Sequence, residues 1–167
     1  MSLGEPGRGA GTLRPGERVT DRYTVTRYLG GGGMGDVYEV VDLELQHRVA
    51  LKIVRAGVAS DETMRLRFHT EIQLARRVTH PNVCRVFDLG SHGELTYLTM
   101  ELLAPGETLA ERVETRGRID AAAATLLVGQ LAAGLAAAHA AGVVHRDFKS
   151  ANVMLVPDAR APGGCGR

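Results

Sequence analysis

The chain has 167 residues, enough for one domain with a core, and its 20 Lys+Arg against 19 Asp+Glu leave a formal charge of +1. That balance supplies no general attraction to nucleic acid or to an anionic membrane, so neither partner is expected. At 44% hydrophobic and 23% charged the composition is globular, but aromatics are only 4% with no Trp, so the core must be built from Leu, Val, Ile and Ala.

Residues 1–20, rich in Gly, Pro and Arg and without periodicity, predict a flexible leader. They lack the apolar run of a secretory signal, and Ser2 stands where myristoylation needs glycine. Cys84 and Cys165 match no metal or redox spacing, which favours a reducing, cytoplasmic setting.

Structure is expected to begin near Tyr23. Strands are predicted over 23–29, 36–41 and 48–54, each rich in β-branched or aromatic residues. A helix follows, capped by Ser60 or Asp61, with Met64, Phe68, Ile72, Ala75 and Val78 at helical spacing until His80-Pro81-Asn82 stops it. Two further strands are predicted over 83–89 and 95–100, around a turn containing Gly90 and Gly93.

After Pro105-Gly106 the pattern turns helical. Residues 108–113 form a short amphipathic piece, and Asp120 caps a long helix with Leu127, Leu131, Leu135 and Ala138 on one stripe, ended by Gly142. Gly129 and Gly134 within it imply close packing against another element. Residues 121–144 are mostly apolar, but Gln130 and His139 interrupt them, so a soluble Ala-rich helix is expected rather than a membrane span. Residues 157–167 read as a tail.

Three constellations carry chemistry. Gly30-Gly31-Gly32-Gly33-Met34-Gly35 satisfies G-x-G-x-x-G, but Asp36 to Val41 continue as a strand, which a dinucleotide-binding turn would not do. A P-loop would need Lys and then Ser or Thr, where Asp36-Val37 stands. The remaining readings are a glycine-rich hairpin without ligand and a flap whose backbone lies close over phosphates.

Val49-Ala50-Leu51-Lys52 supports the flap. A strand period of two puts Lys52 on one face with Ala50, whose small side chain leaves room for a flat ligand. Glu71 falls on or beside the apolar face of the following helix, where an unpaired carboxylate is costly, and Lys52 is its natural partner. Finally, His145 to Asn152 gathers polar residues into one loop. Asp147 can accept a hydroxyl proton, Lys149 can neutralise a moving phosphoryl group, and Asn152 offers an oxygen to a divalent cation.

In this order the motifs resemble the protein kinase family, in the version common among bacterial, eukaryotic-like serine/threonine kinases. Residues 29–37, 49–52, Glu71 and 145–152 match its glycine loop, strand lysine, helix-C glutamate and catalytic loop. Lys149, two residues after Asp147, is similar to the serine/threonine class. The resemblance implies an α+β fold: a complete N-lobe of antiparallel sheet and helix C with the hinge over 21–103, and a partial, mainly helical C-lobe over 104–156.

The resemblance also implies roles. Gly30 to Gly35, with Asp36, would cover ATP. Leu29, Val37, Ala50 and Met154 would sandwich adenine, with Met100 as gatekeeper. The Glu101 carbonyl and Leu103 amide would be hinge contacts, and Glu107 would reach the ribose. Lys52 would hold the α- and β-phosphates, Glu71 would orient Lys52, and Asp147 would orient and deprotonate a Ser or Thr hydroxyl of a protein substrate. Asn152 would be a Mg2+ ligand. Phe148 and Ser150-Ala151 depart from the family's commonest Leu and Pro-Glu without removing a catalytic group.

No Asp-Phe-Gly follows Leu155, so the chain is expected to be truncated before that magnesium-holding segment. Asp88-Leu89-Gly90 precedes the catalytic loop and reads as structural. On this expectation magnesium adds little to ATP affinity, apolar surface stays open along the long helix, and the chain alone does not transfer phosphate. The alternatives are a non-catalytic nucleotide-binding or interaction module, and a remnant of an interrupted gene.

Overall fold

A computed structural model describes residues 13–32, 35–54 and 62–157. Its contacts divide the chain into two units, Met1–Arg76 with Val86–Leu102 and Arg77–Arg85 with Leu103–Arg167. The expected caps Ser60 and Asp61 and the tail from residue 158 lie outside the described residues.

The first unit is an antiparallel sheet built from β1 (Tyr23–Gly32), β2 (Gly35–Asp42), β3 (His47–Val54), β4 (Val86–His92) and β5 (Leu95–Met100), in the order β1-β2-β3-β5-β4. Helix α1 (Glu62–Ala75) lies between β3 and β4 in sequence. Strand period two sorts the side chains. Tyr38 and Val40 lie opposite Leu51 and Val49, and these four join Val19, Tyr23 and Val25 in the core. Val37 and Glu39 lie opposite Lys52 and Ala50, on the other face. Leu51 is fully buried, so it contributes about 1.5–3 kcal/mol of apolar burial.

The expected leader is corrected from Leu13 onward. Gly16 N–H donates to Val25 O at 2.8 Å, Val25 N–H to Glu17 O at 2.9 Å and Val19 N–H to Tyr23 O at 2.9 Å. Val19 is buried, and Leu13 packs against the same core. This segment shows no periodicity because it folds back on β1 through turns instead of running as a regular strand.

Strand β4 starts at Val86, three residues after the expected start. Val83 N–H is engaged in a turn, donating to His80 O at 3.0 Å, and Asn82 N–H donates to His80 Nδ1 at 3.1 Å. The β4–β5 turn is made at Gly93, where φ is 58°. Gly90 lies within β4 under the Tyr97 ring.

The second unit holds β6 (Glu107–Thr108), α2 (Leu109–Arg116), α3 (Ala121–Ala140), a 3-10 turn over Ser150–Asn152 and β7 (Met154–Leu155), with β6 and β7 paired antiparallel. Asp120 caps α3 as expected, its Oδ1 accepting from Ala123 N–H at 2.9 Å, and Gly142 follows its end with φ 79°. Ala138 is buried and Leu127, Leu131 and Leu135 are half-buried, whereas Leu126 and Val128 are exposed. Helix α3 is long and apolar enough to cross a membrane, by length and composition.

Arg77–Arg85 belongs to this second unit although its sequence neighbours on both sides belong to the first. Asn82 explains part of this, since its Nδ2 donates to Gln130 O at 3.0 Å, and a Cβ on Gly134 would stand 2.8 Å from Asn82 O. The close packing expected at both helix glycines is therefore present at Gly134 and absent at Gly129, which has nothing within 4 Å. Opposite effects should follow. Gly129→Ala is expected to stabilise by ~0.5–1 kcal/mol through helix propensity alone. Gly134→Ala is expected to destabilise by ~1–2 kcal/mol because the obstacle is backbone that must shift. Thermal melts of both variants check the pair; shifts of the same sign would disprove the packing argument.

Candidate active-site elements

Each unit carries its own set of candidate side chains. In the first, β1 and β2 meet in a glycine hairpin with Gly30 opposite Val37, Gly31 opposite Asp36 and Gly32 opposite Gly35. Gly33 and Met34 lie outside the described residues. The hairpin is built for close approach, because a Cβ at Gly35 would collide with the Ile53 carbonyl and one at Gly31 with the Asp36 carboxylate and the Tyr28 hydroxyl. Tyr28 O–H donates to Asp36 Oδ1 across the hairpin at 3.5 Å, a long bond, and the Tyr28 and Tyr38 rings meet edge to face at 5.4 Å. Asp36 is buried and Leu29 is partly exposed.

On β3, Ala50 is buried and Lys52 half-buried, on the face they share with Val37. Ala50 lies opposite Met100, the last residue of β5, and Lys52 opposite Leu98. Met100 is half-buried and Glu101 exposed. Glu71 sits within α1, where Phe68, Ile72 and Ala75 are half-buried and Glu71 itself is exposed. Glu71 lies at the edge of the apolar stripe and is open to solvent, so burial alone does not force a partner on it. The Arg76–Asp88 pair, 3.2 Å, ties the end of α1 to β4, and Asp88-Leu89-Gly90 is part of that strand.

In the second unit the β6–β7 ladder brings together Leu103, Gly106, Glu107 and Met154. Glu107 lies opposite Leu155 and Thr108 opposite Met154. A Cβ on Gly106 would meet Leu103 O at 2.9 Å, Leu155 O at 3.1 Å and Met154 Cε at 3.2 Å, so only glycine lets these groups close in. The sequence marks Gly106 only as the point after which the pattern turns helical; Met154 and Leu155 are distant in sequence and no local signal marks them. Glu107 Oε1 is 3.0 Å from Arg116 Nη2, a further partner that spacing did not suggest.

Residues 145–152 form the polar loop. Arg146 has φ 57°, a left-handed conformation unusual for Arg, and it centres a tight turn in which Asp147 N–H donates to His145 O at 2.7 Å. The His145 and Phe148 rings pack edge to face at 5.5 Å. That turn presents Asp147 to its partners: Lys149 Nζ is 2.9 Å from Oδ2, and Asn152 Nδ2 donates to Oδ2 at 3.0 Å and to Asp147 O at 2.8 Å. Lys149 first, then Asn152, hold the Asp147 carboxyl below the usual carboxylate range. The group is ionised at neutral pH, ready to accept a hydrogen bond from a hydroxyl.

With its amide nitrogen committed to Asp147, Asn152 keeps its carbonyl oxygen for other partners. Among the described residues no group of three His, Cys, Asp or Glu could hold a metal ion.

The family model described as "Protein kinase domain" matches residues 23–161. The chain is 36% identical over 140 residues to serine/threonine-protein kinase PrkC of Bacillus subtilis (strain 168), across 84% of this chain and 22% of PrkC. To serine/threonine-protein kinase pkn2 of Myxococcus xanthus it is 40% identical over 149 residues, across 89% of this chain and 18% of pkn2. A crystal structure of the Mycobacterium tuberculosis PknI kinase domain superposes with a TM-score of 0.75 at 30% identity, covering 87% of this chain and 59% of that one. The chain thus spans about a fifth of the length of those two curated relatives.

Proposed function

Because the chain belongs to the protein kinase family, we propose that it is the nucleotide-handling part of a serine/threonine protein kinase, which passes the γ-phosphoryl group of ATP to a Ser or Thr hydroxyl of a protein. The observation that carries the reading is the Asp147 carboxylate held by Lys149 and Asn152 in a strained loop, since phosphoryl transfer needs positioning and charge neutralisation more than covalent chemistry.

In this reading the glycine hairpin from Gly30 to Gly35 covers the phosphates and Lys52 binds them, with Glu71 orienting Lys52. Leu29, Val37, Ala50 and Met154 contact adenine, beside Met100. The Glu101 carbonyl and the Leu103 amide bond its edge, and Glu107 accepts from the ribose. Glycine at 106, where a Cβ would crowd Leu103 O and Met154 Cε, keeps the Leu103 main chain close to Met154, two residues this reading assigns to adenine. Magnesium enters with the ATP phosphates as part of the substrate, where Asn152 offers it one oxygen. Asp147 aligns the acceptor hydroxyl and Lys149 steadies the transferring group. ATP as phosphoryl donor, and a Cys84–Cys165 spacing that matches no metal or redox motif, suit a cytoplasmic setting.

Calorimetry tests the reading. Lys52→Met is expected to weaken ATP binding about tenfold, as loss of a charge-assisted bond of roughly 1.4 kcal/mol requires, with adenosine affinity unchanged. Equal loss for ATP and adenosine would remove Lys52 from the phosphates. A non-catalytic nucleotide-binding module would share this result and part from the kinase reading in the transfer assay described below.

A further inference from the structure

We propose that Arg116 is a positioning residue for Glu107 and thereby sets how tightly the chain holds the ribose of its nucleotide. The inference rests on the ATP reading above. Pairing of β6 with β7 fixes the main chain at Glu107, but a glutamate side chain keeps several rotamers unless something holds its end. Arg116 does so, with Nη2 3.0 Å from Oε1.

The guanidinium is itself carried on a braced element. Helix α2 is closed at its start by a capping box, in which Glu111 N–H donates to Thr108 Oγ1 at 3.1 Å and Thr108 N–H to Glu111 Oε2 at 2.7 Å. Both Thr108 groups hold the Glu111 carboxyl below its ordinary range, the backbone N–H most of all, so the box stays ionised at neutral pH. Leu109 N–H donates to Val153 O at 2.8 Å, which docks the first turn next to β7. At the far end Gly117, with φ 73°, returns its N–H to Val113 O at 2.9 Å and stops the helix directly after Arg116.

An α-helix eight residues long thus folds its last side chain back toward the strand that precedes it. The pair uses Oε1, which among the described residues leaves Oε2 to accept from vicinal ribose hydroxyls. A pair this exposed, 62% for Arg116 and 32% for Glu107, adds little to stability. Its effect lies in orientation: with Arg116 in place, the carboxylate is held where two donors of one small ring can reach it.

Calorimetry on the 167-residue chain compares ATP with 2′,3′-dideoxy-ATP, which keeps adenine and phosphates and lacks both hydroxyls. Arg116→Ala is expected to weaken ATP about 3- to 10-fold, leave dideoxy-ATP within about twofold, and leave the melting temperature unchanged; Arg116→Lys recovers most of the loss. Equal weakening of both nucleotides, or no weakening, overturns the positioning role. Glu107→Gln separates the two levels. If the preference of the parent chain for ATP over dideoxy-ATP is absent or survives Glu107→Gln, the ribose reading itself is wrong. If that preference collapses in Glu107→Gln but not in Arg116→Ala, only the role of Arg116 is wrong.

Discussion

Replacing Asp147 by Asn is expected to cut phosphate transfer from ATP to a protein hydroxyl by about 10²- to 10⁴-fold, with ATP affinity kept within about twofold. The measurement is made on this chain joined to the remainder of a kinase domain, with labelled ATP and a general protein acceptor. Asp147 is held by Lys149 at 2.9 Å and by the Asn152 amide at 3.0 Å. Those donors keep its carboxyl below the ordinary range, so Asp147 adds no acid limb to the rate above about pH 4. A carboxylate of lowered pKa is a weak base and takes the proton late, as the new P–O bond forms; alignment of the hydroxyl is its earlier task. Asn retains the shape but presents a donor where an acceptor is needed. Retained turnover would assign the proton to another group, and activity equal in both proteins at background level would favour the non-catalytic module.

The second large effect concerns stability and lies away from the site. Asp42, at the end of β2, is buried and receives Arg22 Nε at 3.0 and 3.1 Å, Arg22 Nη2 at 2.7 Å, and the N–H groups of Glu44 and Leu45 at 3.0 and 3.1 Å. Arg22 is the main reason its carboxyl lies below the usual range, and burial opposes that shift. One carboxylate therefore closes the β2–β3 turn and anchors the start of β1. Asp42→Ala should destabilise the fold by about 2–4 kcal/mol and lower Tm by roughly 5–15 °C at pH 7. Because the folded pKa is depressed below the unfolded value of about 3.9, the stabilisation is complete above that value and disappears as pH falls through the folded one. Denaturant melts at pH 7 and pH 3 should show the gap between parent and variant shrinking in acid. A constant gap would attribute the loss to packing.

Elements with strong local signals were legible. β5 occupies the expected 95–100, and the Asp120 cap starts α3, because alternation and capping are properties of adjacent residues. Signals that depend on distant partners were not. β6 and β7 are two residues each, too short to carry any period, yet their pairing assembles Glu107 and Met154. Glu39 illustrates the same limit. It lies on the face opposite the core and is only 1% exposed, because Arg27 Nε at 2.7 Å and Arg48 Nη1 at 2.9 Å hold its two oxygens from the flanking strands. A pattern of polar and apolar letters records which way a residue points, and the reach of a long side chain over its neighbours escapes it. In the polar loop 145–152 the residue types were readable, but the turn at Arg146 that aims them was not.

The division of the chain also sets what a protease can separate. Since Arg77–Arg85 stays with the second unit, the main chain passes between units after Arg76, after Arg85 and after Leu102. A nick after Leu102 yields two pieces, but the longer one still carries Asn82, whose amide holds the Gln130 carbonyl and whose backbone fills the notch at Gly134. The second unit is thereby assembled from both pieces, and the longer fragment keeps a nine-residue docking peptide, 77–85, for the shorter one.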